Sequence, residues 1–443
     1  MGASADRWTE TPRRPGPGKG WFAGALPQSR WPVAGAHARV AMREPSTSPI
    51  LGILNPQAGS DSRCLRGPGG TKASCSAKIL RTADSRKTMN NLADRPPSIC
   101  REVHRSGGEA TLAFADALRV YAHWPRPTVI VADGPYGLGK FPGDPPTPDA
   151  LGSWYEPHVA AWTEHALPET TLWFWCTELG WAEVHPVLKR YGWRYRAAQV
   201  WDKGVGHIAG NCNGDTIRSF PVVTEVCVQY VREVCLADAD GHQVPLKVWL
   251  RREWQRSGLP LNSTNEACGV LNAATRKYFT QCHLWYFPPP DKMMQLADYA
   301  SRHGKPTPRP YFSLDGENPL TAVAWSGLRA KWNHTHGITN VWTEPAVRGS
   351  ERLKGDKGLK GLHANQKPLK LMDRIIHASS DPGDVIWEPF AGLAGALVVA
   401  LRQARRGFGA EINPQFYRYA GERLRAESQG DLLDVIYYPE QAG

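Results

Sequence analysis

The sequence has little of what metal-binding, membrane-spanning or secreted proteins need. Its nine cysteines include no C-x-x-C pair, which argues against a zinc site or a disulfide framework and fits a reducing cytosol. The longest apolar runs, such as VVTEVCVQYV, are too short and too interrupted to span a membrane. No compact apolar core followed by a small-residue cleavage site is found near the N-terminus. We therefore expect a cytoplasmic protein without a metal or a membrane partner.

Positive charge is in excess along the 443 residues, with a formal net charge of +11. Lysine and arginine are spread through the chain, so the excess indicates a polyanionic partner such as nucleic acid without identifying one. A generically basic protein is the alternative interpretation.

Residues 1–88 differ in texture from the rest of the chain. Gly- and Pro-rich stretches such as RPGPG, GPGKG and RGPGG interrupt them, and no apolar period persists over ten residues. We expect this segment to be disordered. Met89, in KTMNNLADRPP, is an alternative translation start, in which case residues 1–88 do not belong to the natural protein.

Strand and helix patterns alternate over residues 89–235 and again over 340–443. TVIVAD and TTLWFWCT are short β-branched or aromatic runs typical of buried strands. GWAEVHPVLKRYG is an amphipathic helix that ends at a glycine. Strands that alternate with helices predict an α/β layered sheet to which both segments belong.

Residues 236–339 separate these two segments and are predicted to be mainly helical. Ser263 and Glu266 have the capping-box spacing at the start of a short helix, and Asn272 is a candidate cap for the next one. A helix, a short turn at a glycine and a second helix form the outline of a helix-turn-helix.

The second of these short helices carries candidate DNA contacts at its start. Asn272 suits an adenine edge and Arg276 suits a guanine edge in the major groove. Thr275 and Lys277 lie beside them in the sequence. A solvated helix face is the alternative interpretation, and the region is the candidate target-recognition domain.

The C-terminal segment has the layout of a nucleoside-binding unit. A strand that ends near Glu388 leads into a loop with Gly392 and Gly395, then into a helix and a second strand that ends at Glu411. Such a loop lets the backbone approach a ligand, and a carboxylate after the second strand accepts hydrogen bonds from ribose hydroxyls.

The stretch VADGPYGLGK, residues 131–140, follows another buried strand. Asp133-Gly134 is a common turn pair, so an ordinary turn is the alternative interpretation. As an active-site loop, the same stretch places the Asp133 carboxylate at the carboxyl end of a strand, close to Tyr136.

The order of these motifs along the chain resembles that of a known family. DGPYG comes first, followed by the inserted region, QKPLKLMDRII, DPGDVIWEPFAG and GFGAEINPQFY. The set is similar to the β class of DNA amino-methyltransferases, which use S-adenosylmethionine. The resemblance implies an α/β, Rossmann-like methyltransferase sheet with helices on both faces, an inserted target-recognition region, and S-adenosylmethionine as cofactor.

The resemblance implies a cofactor pocket formed by Gln366, Lys367, Glu388, Phe390, Gly392, Gly395 and Glu411. In this assignment Phe390 packs on the adenine and Glu411 holds the ribose. Two positions depart from the family pattern. Glu388 stands where aspartate is usual, and Ala394 stands where the family has its second loop glycine.

The resemblance implies a catalytic loop of Asp133, Gly134, Pro135 and Tyr136. An exocyclic amino nitrogen is a poor nucleophile because its lone pair is delocalised into the ring, so acceptors must bind its two N–H groups. The Asp133 carboxylate and the backbone carbonyl of Gly134 are those acceptors. Tyr136 stacks on the base, which must leave the duplex. Gly134 replaces the proline of the family.

The predicted function is site-specific methylation of an exocyclic amino group in double-stranded DNA, with adenine N6 favoured over cytosine N4. A restriction enzyme of the same specificity is a candidate partner. One alternative is an RNA or protein methyltransferase, although in protein-glutamine methyltransferases the cofactor motif precedes the loop. The other is a DNA-binding relic that has lost catalysis, which the replacements at Gly134 and Ala394 suggest.

Overall fold

Nine strands form one sheet in the computed structural model, which describes residues 98–428 apart from positions 105, 140, 142, 209–217, 356–361 and 364. The segment 1–88, predicted to be disordered, lies outside the described residues. The strands of the described residues are β1 Ser98–Val103, β2 Glu109–Phe114, β3 Val129–Ala132, β4 Thr171–Cys176, β5 Trp193–Asp202, β6 Thr224–Arg232, β7 Cys235–Ala237, β8 Gln243–Pro245, β9 Val341–Trp342, β10 Val385–Glu388 and β11 Arg406–Glu411. Of these, β7 and β8 pair only with each other, outside the nine-stranded sheet.

Helices connect and cover these strands. They are α1 Leu151–His165, α2 Glu178–Arg190, α3 Leu246–Arg256, α4 Ser263–Ala267, α5 Ala273–Tyr278, α6 Pro290–His303, α7 Ala322–Ser326, α8 Leu369–Ser379, α9 Gly395–Arg402 and α10 Pro414–Ser428. Within the described part of the chain, no helix is long and apolar enough to cross a membrane.

The sheet joins the two α/β segments of the sequence. Its strand order is β1-β2-β11-β10-β3-β4-β6-β5-β9. Five adjacent strands pair in parallel: β2, β11, β10, β3 and β4. By contrast, β6 runs antiparallel to both of its neighbours, β4 and β5. This order places β10, from the C-terminal segment, directly beside β3, with β11 on the other side of β10.

Side chains of the central strands alternate between two cores. Val129 and Val131 of β3 pack with α8 and α9 on one face, while Ile130 and Ala132 pack with α1 and α2 on the other. A period of two with apolar residues on both sides is what a strand buried on both faces requires. The predicted α/β class with helices on both faces is confirmed.

The inserted region has an apolar core of its own. Trp249 and Trp254 of α3 pack there with Phe279, Met293 of α6 and Trp325 of α7. The hairpin of β7 and β8 precedes α3 and was not anticipated from the sequence. The domain boundaries at 236 and 339 stay predictions.

Of the two helix caps predicted in this region, the one at Ser263 is wrong and the one at Asn272 is correct in position only. Asn262 occupies the N-cap position of α4, and its backbone is already helical at φ −66° and ψ −24°, so Ser263 lies inside the helix and no capping box forms. Asn272 does precede α5, but its side chain accepts a hydrogen bond from Arg276 rather than from a backbone N–H of the helix.

Candidate active site

The carboxyl ends of β3, β10 and β11 lie side by side, and the predicted site residues follow them. The loop of Asp133 leaves β3, the loop of Phe390 leaves β10, and Glu411 ends β11. From β10 the chain continues to β11 on one side, whereas from β3 it continues to β4 on the other. A crevice opens where the direction of connection reverses in this way, and ligands of open α/β sheets bind in such crevices.

A cavity occupies this crevice and collects nearly all of the predicted catalytic and cofactor residues. Its lining includes Asp133, Gly134, Pro135, Gln366, Lys367, Glu388, Phe390, Gly392, Gly395 and Glu411. Tyr136 lies behind this lining, and only 5% of its surface is exposed. The structure therefore brings the two halves of the predicted site into one cavity.

Asp133 is fixed by two partners at one of its oxygens. Its Oδ1 accepts hydrogen bonds from the Tyr136 hydroxyl, at 3.0 Å, and from Lys367 Nζ, at 2.9 Å. Lys367 Nζ also lies 3.0 Å from the Tyr136 hydroxyl and 5.2 Å from the centre of its ring. Lys367 was assigned to the cofactor pocket by resemblance, and in the structure its ammonium contacts the catalytic loop.

A second carboxylate, Glu225 at the start of β6, completes this arrangement. Its Oε2 lies 3.0 Å from the Tyr136 hydroxyl, whose single proton it shares with Asp133 Oδ1, and 3.3 Å from Lys367 Nζ. Its Oε1 pairs with Lys203, the residue after β5. Only 6% of Glu225 is exposed, so this carboxylate belongs to the interior of the site.

Burial and opposite charge act against each other on these groups. Burial raises the pKa of Asp133, and the neighbouring Lys367 opposes part of that rise. Burial also acts to raise the pKa of Glu225, but Lys367 and Lys203 outweigh it and hold the pKa below its ordinary value. Burial acts to lower the pKa of Lys367, and the two carboxylates raise it above its ordinary value instead.

Glycine at position 134 has a steric reason. A Cβ atom there would lie 2.5 Å from the Tyr155 hydroxyl and 2.6 Å from the Phe390 ring. The Tyr155 hydroxyl donates to the backbone carbonyl of Pro135 at 3.0 Å and so supports the loop. The aromatic side chains thus fill the space that the ring of a proline at position 134 would need.

The two acidic residues of the C-terminal unit bind backbone N–H groups. Glu388 accepts from the N–H groups of Ala396 and Leu397 at the start of α9, each at 2.9 Å. Glu411 accepts from Gly392 and from Asn413, each at 2.7 Å. These bonds lock the loop between β10 and α9 onto the ends of both strands.

Burial raises the pKa of both carboxyls despite these bonds. The pKa of Glu388 rises to about 8 and that of Glu411 to about 7. In each case the backbone hydrogen bonds oppose the effect of burial without cancelling it.

Ala394 adopts the conformation that the family's glycine would favour. Its φ is +56° and its ψ is +44°, in the left-handed region, and it precedes the first residue of α9. An L-residue is strained there by about 1–2 kcal/mol relative to the right-handed region. The left-handed backbone at position 394 thus explains why glycine would suit this position of the loop.

Phe390 lies against a cluster of aromatic residues from α1. Its ring centre is 5.0 Å from that of His158 and 5.6 Å from that of Trp154, both of which line the cavity. Burial lowers the pKa of His158 to about 4, so its imidazole is neutral at pH 7. The Gln366 side chain hydrogen-bonds to the backbone of the preceding connector: it accepts from the N–H of Leu353 and donates to the carbonyl of Glu351.

The four predicted DNA contacts do not share one environment. Asn272, Arg276 and Lys277 are exposed, and Lys277 lies 6.0 Å from the centre of the Tyr286 ring. Thr275 faces inward, where its hydroxyl bonds to that of Thr264 at 2.7 Å and thereby joins α4 to α5. All four stay predictions, and the contacts of Thr275 give it a structural role.

Four residues of the site were not predicted from the sequence: Glu225, Lys203, Trp154 and His158. A charged residue within the apolar run VVTEVCVQYV was the available signal for Glu225, because a buried charge needs a partner. The absence of a metal also stays a prediction. Ligand atoms of Asp238, Asp240 and His242 lie within 4.8 Å of one another, and Asp238 is paired with Arg252.

The comparison with protein families identifies the chain. The family model N6_N4_Mtase, described as DNA methylase, matches residues 128–422, a range that includes the catalytic loop, the inserted region and the C-terminal unit. The chain belongs to this DNA methylase family.

Curated relatives match shorter parts of the chain. It is 37% identical over 97 residues to the DNA adenine methyltransferase YhdJ of Escherichia coli K12, a match that covers 22% of this chain and 31% of the relative. It is 34% identical over 102 residues to the Type II methyltransferase M2.DpnII of Streptococcus pneumoniae, covering 23% and 36%. The matches thus span about a third of the length of each relative.

Among solved structures, the M1.HpyAVI–SAM complex matches 71% of the methylase and 98% of that chain, with 14% identity and a TM-score of 0.38.

Proposed function

We propose that this methylase transfers a methyl group from S-adenosylmethionine to the exocyclic amino group of a base in double-stranded DNA, with adenine N6 favoured over cytosine N4. The observation that carries the proposal is the single cavity at the carboxyl ends of β3, β10 and β11. It combines the Asp133 carboxylate with the aromatic and acidic residues of a nucleoside site, Phe390 and Glu411. The relative YhdJ is named a DNA adenine methyltransferase, which supports adenine as the target.

The lining residues fit S-adenosylmethionine chemically. Glu411 accepts two backbone hydrogen bonds, and a carboxylate has about four lone-pair sites, so it retains acceptor capacity for ribose hydroxyls. Phe390, Trp154 and His158 offer aromatic surface to the adenine. When bound, this cofactor supplies an electrophilic methyl group: the new carbon–nitrogen bond forms as the carbon–sulfur bond breaks, and the amino nitrogen releases one proton.

The catalytic loop orients the amino group of the base. Asp133 and the backbone carbonyl of Gly134 accept its two N–H groups, which favours a tetrahedral nitrogen with an available lone pair. Asp133 acts as a carboxylate, which the contact with Lys367 stabilises. Tyr136 holds Asp133 through its hydroxyl in the structure, and its stacking on the base stays part of the proposal.

In this proposal, DNA binds to exposed side chains of the inserted region. Arg276 and Lys277 supply positive charge, and Asn272 supplies an amide that can read an adenine edge. The target base leaves the duplex to reach Asp133, which costs a few kcal/mol of unstacking. A cytoplasmic location and a restriction enzyme of the same specificity, as in Type II systems, also belong to the proposal.

The direct test is methyl transfer in vitro. The full chain is incubated with labelled S-adenosylmethionine and with duplex DNA, total RNA or a protein mixture, and label in each polymer is measured. We expect label in DNA alone, as methyladenine, and a loss of at least about 100-fold in Asp133→Ala with DNA binding retained. Label in RNA or protein, or none from the wild-type chain, would refute the proposal.

A further inference from the structure

The buried carboxylate of Glu225 belongs to a strand that carries no residue of the predicted site. β6 is antiparallel to β4, so its amino end lies at the same edge of the sheet as the carboxyl ends of β3, β10 and β11. Glu225 is the second residue of β6 and therefore reaches the cavity edge. Lys203 follows β5, whose last residues pair with Thr224 and Glu225. Strand direction thus brings both side chains to the catalytic loop.

The formal charges of the ion-paired cluster around Asp133 balance. Two carboxylates, Asp133 and Glu225, meet two ammonium groups, Lys203 and Lys367, and their formal charges sum to zero. The side chains are between 3% and 18% exposed. In so little contact with water an unpaired charge is strongly destabilising, so removal of one member leaves a charge that the others must accommodate.

The hydrogen bonds of this cluster leave one oxygen of Asp133 available. Lys367 and Tyr136 both bind Oδ1, and Glu225 binds both of them from the far side. Among the residues that the structure describes, no hydrogen bond reaches Oδ2. Asp133 lines the cavity, so Oδ2 can accept an N–H group from a base.

We propose that Glu225 is a positioning residue for methyl transfer: it holds Lys367 and Tyr136 on Oδ1 of Asp133, which presents Oδ2 to the amino group, and Lys203 balances its charge. This inference rests on the proposed methyltransferase function. The charge of Glu225 also acts on Asp133, whose pKa it helps to raise. Glu225 thus sets both the orientation and the basicity of the acceptor.

The test uses a charge-balance series in the full chain: wild type, Glu225→Gln, Lys203→Met and the double variant. For each, kcat and KM for DNA and for S-adenosylmethionine are measured across pH. Glu225→Gln preserves shape and removes the charge. We expect kcat to fall by up to about 100-fold, as for a misplaced catalytic group, while both KM values change less than about twofold.

The pH dependence separates positioning from a merely structural role. Without the Glu225 charge the pKa of Asp133 falls, so the acid limb of kcat moves to lower pH in Glu225→Gln. Lys203→Met leaves excess negative charge and moves that limb to higher pH. The double variant restores the charge balance, so its acid limb returns toward the wild-type position, whereas kcat stays low because the carboxylate that holds Lys367 and Tyr136 is still absent. The other ionisable groups around Asp133 are unchanged throughout: Lys367, Tyr136, Tyr155, Cys176, Cys227 and Glu388.

Each outcome decides the inference. An acid limb that stays in place in both single variants, or full activity in Glu225→Gln, overturns it while the proposed function stands. If Glu225→Gln does not fold, the test rests on Lys203→Met. An acid limb of kcat at the wild-type pH in that variant also contradicts the inference. A wild-type chain without methyl transfer in the same assay overturns the proposed function, and this inference with it.

Discussion

The edge of the methyltransferase sheet and helix α5 of the inserted region place charged side chains in opposite environments. At the sheet edge, Asp133, Glu225 and Lys367 are enclosed and paired with one another. In the inserted region, Arg276 and Lys277 are exposed to solvent. A buried charge depends on every neighbour, whereas an exposed one acts almost alone. Substitutions at the sheet edge should therefore change stability and pH dependence, and substitutions of the exposed charges of α5 should change DNA affinity.

The largest effect expected of the enclosed site is a pH-dependent stability at Glu388. Its pKa rises from an ordinary 4.5 to about 8 because it is buried. Between these values the folded protein retains a proton that the unfolded chain releases, so stability falls as pH rises through this window. We expect Glu388→Gln to gain stability relative to wild type between pH 5 and 8, by on the order of a few kcal/mol. Denaturant unfolding at several pH values measures it.

Glu344 provides a control of opposite sign. Burial acts to raise its pKa, but Lys370 and Arg374 hold it below 4.5. The stability that it contributes is present above pH 4.5 and is lost as pH falls through the lowered pKa. Glu344→Gln should therefore differ from wild type by a constant amount between pH 5 and 8. A flat difference for Glu388→Gln as well would contradict the effect of burial.

The next effect concerns the steric limit at Gly134. The methyl group of Gly134→Ala would overlap Phe390 and the Tyr155 hydroxyl, so we expect a loss of about 1–3 kcal/mol in the free energy of unfolding. Gly327→Ala is a matched control, because a Cβ there comes no closer than 3.6 Å to its neighbours. Adding Phe390→Ala should reduce the specific penalty at position 134. Equal costs for the two glycines would show that Gly134 is not sterically constrained.

The third test compares two neighbours in α5. Thr275→Ala removes the hydroxyl that joins α4 to α5 and should lower stability by about 1 kcal/mol. Arg276→Ala should leave stability unchanged and weaken DNA binding by about 1–3 kcal/mol, with a smaller salt dependence. Arg302→Ala on α6 is the control for loss of an exposed arginine. If Arg276→Ala and Arg302→Ala weakened DNA binding equally, α5 would not be part of a specific DNA interface.

The smallest effect is expected at Ala394. Glycine would relieve about 1–2 kcal/mol of left-handed strain, but it would lose a buried methyl group, at about 0.8 kcal/mol, and would add backbone entropy to the unfolded chain. These terms nearly cancel, so Ala394→Gly should change the free energy of unfolding by less than about 1 kcal/mol. A larger loss would show that the methyl group contributes more packing energy than its area indicates.

The same contrast explains what could be predicted from the sequence. The continuous apolar run TVIVAD predicted a buried strand, and the order of the motifs, through the family resemblance, predicted the sheet, its two covered faces and the grouping of Asp133 with Phe390 and Glu411. This grouping could be predicted because sheet topology brings strand ends together whatever the intervening loops are. Glu225 was missed because its role depends on β6 running antiparallel, which no local pattern encodes. The cap at Ser263 was wrong, and Asn272 makes no capping hydrogen bond, because tertiary contacts decide the ends of short helices.

The central claim is tested most directly by sequencing that detects modified bases in the DNA of cells expressing the wild-type chain, with cells expressing Asp133→Ala as control. The account predicts N6-methyladenine at one defined sequence motif in the wild-type cells and its absence from the control. DNA without a modified motif, or with the same modification in both cell lines, would contradict it.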